Sequence, residues 1–99
     1  MTDYNVIVLP AAEMDLDDAY DYLESKKKNL GFDLLAEVAD ILQILEDNPF
    51  LYQKVSKHRR RAIVRRFGYN VIYSVIDNEV YIVAIIHGSR DSKRWEDRT

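Results

Sequence analysis

The stretch YNVIYSVIDNEVYIVAIIH, from Tyr69 to His87, decides the fold of this chain. It is rich in β-branched and aromatic residues, and the turn-forming pair Asp77-Asn78 divides it, which predicts two antiparallel strands, Tyr69–Asp77 and Glu79–His87. The second strand is apolar on both faces, which is typical of a strand in the middle of a sheet. Strict alternation would divide its side chains between the two faces as Val80, Ile82, Ala84 and Ile86 against Tyr81, Val83, Ile85 and His87.

A third strand, Arg59–Phe67, precedes this pair, and Gly68 permits a tight turn between the two. It alternates only partly, because Ala62 and Val64 share one face and Ile63 stands on the other among five arginines. We therefore expect it to be the least buried of the three strands.

The run from Lys54 to Arg66 contains seven Lys and Arg side chains in thirteen residues and no acid. Residues 1–53 carry twelve acids and three Lys, net −9, whereas residues 54–99 carry eleven Lys and Arg and five acids, net +6. Such a cationic half suits a polyanion or an acidic partner, and arginine favours bidentate recognition of phosphate or carboxylate. A solvated strand face is the alternative interpretation of the same run.

The N-terminal half predicts one strand and two helices. Residues 4–9 are β-branched and aromatic and end at Pro10, which is suited to the first turn of a helix. Apolar residues then recur at helical spacing over Ala11–Lys27, Gly31 interrupts, and a second helix spans Phe32–Asp47. Residues 48–58 read as a polar connector, because Asn48-Pro49 stops the helix.

The apolar arc of the second helix is wider than one contact face needs. Either this helix packs on two sides within the monomer, or part of the arc meets another chain. The arc has two rows, Leu35, Val38, Ala39, Leu42 and Leu45 in one, and Leu34, Ile41 and Ile44 in the other.

Length and composition exclude several classes of protein. A chain of 99 residues fits one domain, residues 1–99. Zero cysteines exclude disulfides, thiolate metal sites and cysteine nucleophiles, and two histidines are too few for most metal centres, so we expect no metal and no cofactor. No apolar run is long enough to cross a membrane and no signal peptide is evident, so we expect a cytoplasmic protein.

The order strand, helix, helix, strand, strand, strand predicts an α+β fold in which a helical hairpin covers one face of a small, largely antiparallel sheet. The opposite face would then be free. We expect the arginines of the 59–67 strand to project beside or across that face, together with His87. The tail, residues 88–99, is polar apart from Trp95, and a short helix fits there.

Over nearly its whole length the chain resembles the RelE/ParE superfamily of bacterial toxins, and its ending is most similar to the ParE branch. The order and spacing of several motifs carry the resemblance. Ser92 departs from the proline that commonly follows Arg-Asp in that branch. The motifs are Pro10-Ala11-Ala12-x-x-x-Leu16, Tyr22-Leu23, Leu45-Glu46-Asp47-Asn48-Pro49, Arg60-Arg61-Ala62-Ile63-Val64, Tyr69-Asn70-Val71-Ile72-Tyr73 and His87-Gly88-Ser89-Arg90-Asp91-x-x-x-Trp95.

The resemblance implies a toxin of a type II toxin–antitoxin, or plasmid-stabilisation, system, bound by a cognate antitoxin in a hetero-oligomer. Members similar to ParE poison DNA gyrase, and members similar to RelE cut messenger RNA on the ribosome. A disordered, acidic and apolar antitoxin could fold onto the cationic sheet face and the wide apolar arc of the second helix. The predicted antitoxin contacts are Leu34, Ile41 and Ile44.

The residues favour a binding protein over a nuclease. Cleavage through a 2′-hydroxyl needs a proton acceptor, a proton donor and cations, yet no Asp or Glu occurs from Asn48 to Ile76 and no Tyr follows Tyr81. His87 remains as the candidate general acid or base if the protein is a nuclease, although it could simply end its strand. A third interpretation is an antitoxin-binding module with degenerate toxicity.

The predicted target-binding residues share a positive charge or an aromatic ring near the cationic strand. Trp95 has a second interpretation, as the residue that pins the tail to its own fold. The set is Arg59, Arg60, Arg61, Arg65, Arg66, Arg90 and Trp95.

Overall fold

The computed structural model describes residues 3–91 and 95–98. A short 3-10 turn, Gly88–Arg90, follows the last strand. The helices and strands, in chain order, are β1 (Asn5–Val8), α1 (Pro10–Lys26), α2 (Leu30–Asp47), β2 (Gln53–Lys54), β3 (Arg60–Val64), β4 (Tyr69–Ile76) and β5 (Glu79–His87).

The strands form one five-stranded sheet in the order β1-β5-β4-β3-β2. β1 runs parallel to β5, and the other neighbouring pairs are antiparallel. The predicted α+β architecture is confirmed, and β5 lies inside the sheet as its two apolar faces indicated. The predicted polar connector was incomplete, because two of its residues pair with the start of β3 as the edge strand β2.

The break between the helices lies before Gly31, which corrects the predicted boundary. Asn29 has a left-handed backbone, φ 71°, and Gly31 is already inside α2 and buried. A Cβ at Gly31 would lie 2.6 Å from Cδ2 of Tyr20. Gly31 therefore allows the two helices to approach closely. The carboxylate of Glu24 in α1 accepts hydrogen bonds from the N–H groups of Asn29 and Gly31, which would otherwise be unpaired at the start of α2.

One face of α2 is the core of the molecule, which corrects the predicted antitoxin contacts. Leu34 is 0% exposed and Ile41 is 8% exposed, and both pack with the apolar residues of β3, β4 and β5. Ile44 is 39% exposed. Leu34 and Ile41 are thus core residues, because their side of α2 points at the sheet. Ile44 lies at the margin of this buried side of the helix and is partly open to solvent.

A bulge in β5 breaks the alternation that the sequence predicted. Ile82 pairs with Tyr73 but Ala84 pairs with Ile72, so Val83 is an extra residue. Val83 and Ala84 consequently both face away from the helices, while Ile85 returns to the helical side. His87 follows Ile85 onto the helical side, so the expectation that it lies on the opposite face with the arginines is wrong.

The sheet face opposite the helices is only partly free. Trp95 is 2% exposed and packs there against Ile72, Val83 and Ala84. The expected open face is therefore covered over β4 and β5 by the tail, and it stays open mainly along β3.

Candidate functional site

The cationic side chains of β3 are divided between the two faces of the sheet. Ala62 and Val64 belong to the core under the helices, so Arg60, two residues before Ala62, also faces that side. Arg61 lies on the opposite face together with Ile63. The predicted cationic cluster is consequently two separate groups, since successive strand residues point in opposite directions.

Arg59 holds the tail against the sheet. Its guanidinium donates to the Ser74 hydroxyl at 2.6 Å and to the backbone carbonyl of Arg98. Ser74 in turn donates to the carbonyl of His58 at 2.6 Å. Arg59 thus has a structural role, and all its described acceptors are neutral oxygens.

Arg60 fixes the segment that joins α2 to β2. It donates to the carbonyl of Tyr52 at 2.7 Å and to that of Phe50 at 3.3 Å, and it lies over the Phe50 ring at 5.3 Å. Below it, Tyr73 is fully buried and donates to the carbonyl of Pro49 at 2.6 Å. Burial raises the pKa of Tyr73 to about 12, although the positive charge of Arg60 acts in the opposite direction.

The remaining arginines of the run differ in their partners. Arg66 pairs with Asp33 at 3.2 Å and with Glu37 at 3.7 Å, both on α2, and lies over the Phe67 ring. Among the described residues, Arg61 and Arg65 have no carboxylate at ion-pair distance. His58, which precedes the arginines, is exposed in the loop before β3.

His87 lies in a cleft of about 510 Å³ between α1 and the end of β5. Its Nδ1 accepts the N–H of Ser89 at 3.1 Å, and its ring packs edge-on against Tyr69 with centroids 5.2 Å apart. Because Nδ1 accepts this hydrogen bond, the neutral imidazole carries its proton on Nε2. This nitrogen faces Gly68. Arg90 is exposed beside this cleft, and its charge opposes the rise that burial causes in the pKa of Tyr69.

Asp15 of α1 and Arg98 of the tail form a polar anchor that our sequence analysis did not identify. They pair at 2.6 Å, Asp15 also accepts the N–H of Ile85 at 3.0 Å, and Arg98 donates to the carbonyl of Val83 at 3.1 Å. β1 ends at Val8, and beyond Ile82 no strand in the described part of the chain pairs with the outer edge of β5. The side chains of Asp15 and Arg98 bind the backbone there instead. The sequence feature that could have identified this anchor is the position of Asp15 on the apolar stripe of α1, between Ala12 and Ala19.

Trp95 is a core residue rather than an exposed target contact. Its Nε1 donates to Oδ1 of Asp91 at 2.7 Å, and Oδ2 of the same carboxylate accepts from Asn70 at 2.8 Å. This corrects the expectation that Trp95 is available to a target and supports its interpretation as the residue that pins the tail. Ser92, the departure from the ParE pattern, lies outside the described residues.

Clusters of metal-ligating side chains are absent from residues 3–91 and 95–98. No group of three or more His, Cys, Asp or Glu side chains within these ranges could hold a metal ion. None of the helices described is long and apolar enough to cross a bilayer.

Comparison with known proteins supports a family assignment. The family model described as "ParE toxin of type II toxin-antitoxin system, parDE" matches residues 6–92. A solved structure from P. aeruginosa, described as a chromosomal ParDE TA system, is similar with a TM-score of 0.76 and 15% sequence identity, over 86% of this chain and 96% of that chain. That likeness shows a shared fold. A search of curated protein sequences gives no match.

Proposed function

Because the chain belongs to the ParE toxin family of type II toxin–antitoxin systems, we propose that it inhibits DNA gyrase by binding and that a cognate antitoxin neutralises it. The toxin is a binding protein in this proposal, and its cationic residues contact the enzyme or the DNA that the enzyme holds. The site of action is the cytoplasm, where gyrase and its DNA are found.

One observation carries the choice of binding over catalysis: His87 lies on the opposite face of the sheet from Arg61, which has no carboxylate at ion-pair distance among the described residues. RNA cleavage requires a base, an acid and cations around a single phosphate. Arg61 faces away from α1, whereas His87 lies in the cleft beside α1. A phosphate held by Arg61 would therefore be out of reach of the imidazole.

A second candidate function rests on the cleft itself. His87, Tyr69, Tyr22 and Arg90 line it, so it combines a titratable ring, two phenols and a cation. That set favours ribosome-dependent cleavage of messenger RNA as the alternative, with His87 as general acid or base and Arg90 as the phosphate contact. A third alternative is an antitoxin-binding module without toxicity.

Two assays run in parallel on the same purified protein distinguish these functions. The proposal predicts inhibited supercoiling by gyrase and intact messages on translating ribosomes examined by primer extension. Codon-registered cuts that disappear in His87→Gln would establish the nuclease instead. If the protein showed neither activity but still bound its antitoxin, the third alternative, an antitoxin-binding module without toxicity, would be supported.

The antitoxin part of the proposal has its own test. A small protein encoded beside this chain should co-purify with it as a toxin–antitoxin hetero-oligomer and abolish its effect on gyrase. If that neighbouring protein formed no complex with the toxin, neutralisation by a cognate partner would be wrong.

A further inference from the structure

A serine hydroxyl and an imidazole ring are in direct contact in the cleft beside α1. Oγ of Ser89 lies 2.8 Å from Nδ1 of His87. The backbone N–H of Ser89 donates to the same nitrogen at 3.1 Å, so Nδ1 is an acceptor and the hydroxyl is its second donor. A hydroxyl that donates to an imidazole nitrogen is the arrangement in which a serine becomes a nucleophile.

The neighbouring backbone holds both groups in place. Ser89 lies in the 3-10 turn after β5, and the N–H of Gly88 in that turn donates to the carbonyl of Gly68 at 2.8 Å. The imidazole ring of His87 packs edge-on against Tyr69, and its Nε2 faces Gly68. Rotation of the ring away from Ser89 is therefore opposed by contacts on its other sides.

Other serines in the described part of the chain have different acceptors. Ser25 donates to the carbonyl of Tyr22 at 2.6 Å, and Ser74 donates to that of His58 at 2.6 Å. A backbone carbonyl orients a hydroxyl but does not take its proton, whereas a neutral imidazole does. Within residues 3–91 and 95–98, Ser89 is thus the one serine whose hydroxyl bonds an imidazole.

The cleft offers room for a ligand beside Ser89. Its volume of about 510 Å³ is in the range of small-molecule sites. Ser89 and Arg90 are exposed in its lining, and the rings of Tyr22 and Tyr69 supply apolar surface. Arg90 follows Ser89 directly, so its guanidinium is within reach of a carbonyl oxygen on which negative charge develops. Asp18 lines the same cleft, which disfavours a ligand that itself carries negative charge.

We propose that Ser89 is a nucleophile, activated by His87, which accepts the acyl group of a neutral activated ester bound in this cleft. The Oγ atom attacks the carbonyl carbon and forms the new C–O bond, while Nδ1 of His87 takes the hydroxyl proton. The bond to the leaving oxygen then breaks, and the leaving group departs with the electron pair of that bond. The imidazolium releases its proton to the leaving group, which leaves an O-acyl serine and a neutral histidine. This site of covalent modification goes beyond the proposed function and does not depend on it.

The first test exposes the full chain to p-nitrophenyl acetate, a neutral activated ester. Release of p-nitrophenol should accompany the transfer of an acetyl group, and fragmentation in a mass spectrometer should place that group on Ser89. Acetylation spread over lysines and serines without preference for Ser89 would overturn the inference.

A fluorophosphonate is the second reagent, because its adduct with serine resists hydrolysis. Oγ of Ser89 attacks phosphorus, fluoride leaves and His87 takes the proton, so a stable adduct on Ser89 is expected. A phosphonate on Ser89 supports the inference even where the acetyl ester hydrolyses before it accumulates. A Ser89 that neither reagent labels would overturn it.

Two substitutions separate the nucleophile from its base. Ser89→Ala should abolish the adduct, and His87→Gln should slow its formation at least about tenfold, because an amide does not take the hydroxyl proton. Ser25→Ala is the matched control, since Ser25 is also an exposed serine, and this variant should be labelled on Ser89 at the wild-type rate. Thermal melts verify that each variant folds. A His87→Gln protein that is labelled on Ser89 as fast as the wild type would show an ordinary surface hydroxyl and overturn the inference.

Discussion

At the scale of single residues, the tail and the sheet depend on a few polar side chains that replace missing strand partners. Asp15 satisfies the N–H of Ile85 and pairs with Arg98, which itself donates to the carbonyl of Val83. The hydrogen bond to Asp15 raises the pKa of Arg98 still further, so this cation is charged at every relevant pH. One carboxylate therefore connects α1, β5 and the tail.

Asp15→Ala should lower the free energy of unfolding by about 2–4 kcal/mol, since it leaves the N–H of Ile85 without its acceptor and the half-buried guanidinium of Arg98 without its carboxylate. Asp15→Asn should cost less, because its amide oxygen can still accept from Ile85. Urea titrations of the two variants provide the comparison. Equal losses would contradict a specific role for the hydrogen bond to Ile85, and no loss in either variant would contradict the anchor.

Tyr73 should make the protein sensitive to alkaline pH. Its pKa is about 12 in the folded chain against 10.0 for an unperturbed tyrosine, so the unfolded chain loses this proton first. The contribution to stability is full below pH 10 and is lost between pH 10 and 12. Tyr73→Phe should cost about 1 kcal/mol at pH 7, through the bond to Pro49, and should make the alkaline decline in unfolding free energy shallower.

Chemical denaturation from pH 7 to 11 measures this effect, with Tyr81→Phe as the control. Tyr81 also has a raised pKa, caused first by its hydrogen bond to Glu79, but it lies on the other side of the sheet and is only half-buried. If the Tyr73→Phe protein lost as much unfolding free energy at alkaline pH as the wild type, burial of the Tyr73 phenol could not be the cause of that loss.

At the scale of helices and strands, the close approach of α1 and α2 depends on Gly31. Gly31→Ala should lower the free energy of unfolding by about 1–3 kcal/mol, because the added Cβ would overlap the Tyr20 ring. Ala36→Gly is a useful comparison, since Ala36 is exposed on the same helix and its replacement should cost only about 1 kcal/mol through helix propensity. A Gly31→Ala protein as stable as the wild type would contradict the close contact.

The sequence predicted the number and type of the main elements because their apolar periodicity is strong. It misplaced the start of α2, since glycine usually interrupts a helix whereas Gly31 serves the contact with Tyr20. It also put His87 on the wrong face, because nothing in an unbroken apolar run reveals that Val83 is an extra residue. The local apolar periodicity of the sequence determines the helices and strands, whereas a strand bulge or a close helix–helix contact depends on the neighbouring helix or strand.

The same limit applies to the candidate site residues. The sequence placed Arg59, Arg60, Arg61 and Arg65 on one strand. In the structure β3 ends at Val64, and Arg59 and Arg60 differ from Arg61 because their acceptors come from distant parts of the chain. For the same reason the sequence left Trp95 with two interpretations, a target contact or a residue that pins the tail, since a tail tryptophan is buried only if the sheet offers it a place.

At the scale of the whole molecule, a ParE family fold carries negative charge on its first half and positive charge on its second. The resemblance that the motifs indicated is confirmed by the family match over residues 6–92. The structure adds that Arg61 and the candidate catalytic histidine, His87, lie on opposite faces of the sheet. Our proposal is therefore a toxin that acts by occupying gyrase rather than by chemical turnover.

A supercoiling titration of gyrase with wild-type and His87→Gln protein tests that claim most directly. We expect both proteins to inhibit equally, and inhibition to rise with toxin until about one toxin is bound per gyrase site. Inhibition that is lost in His87→Gln, or that is complete at a small fraction of the gyrase concentration, would contradict a toxin that acts by binding alone.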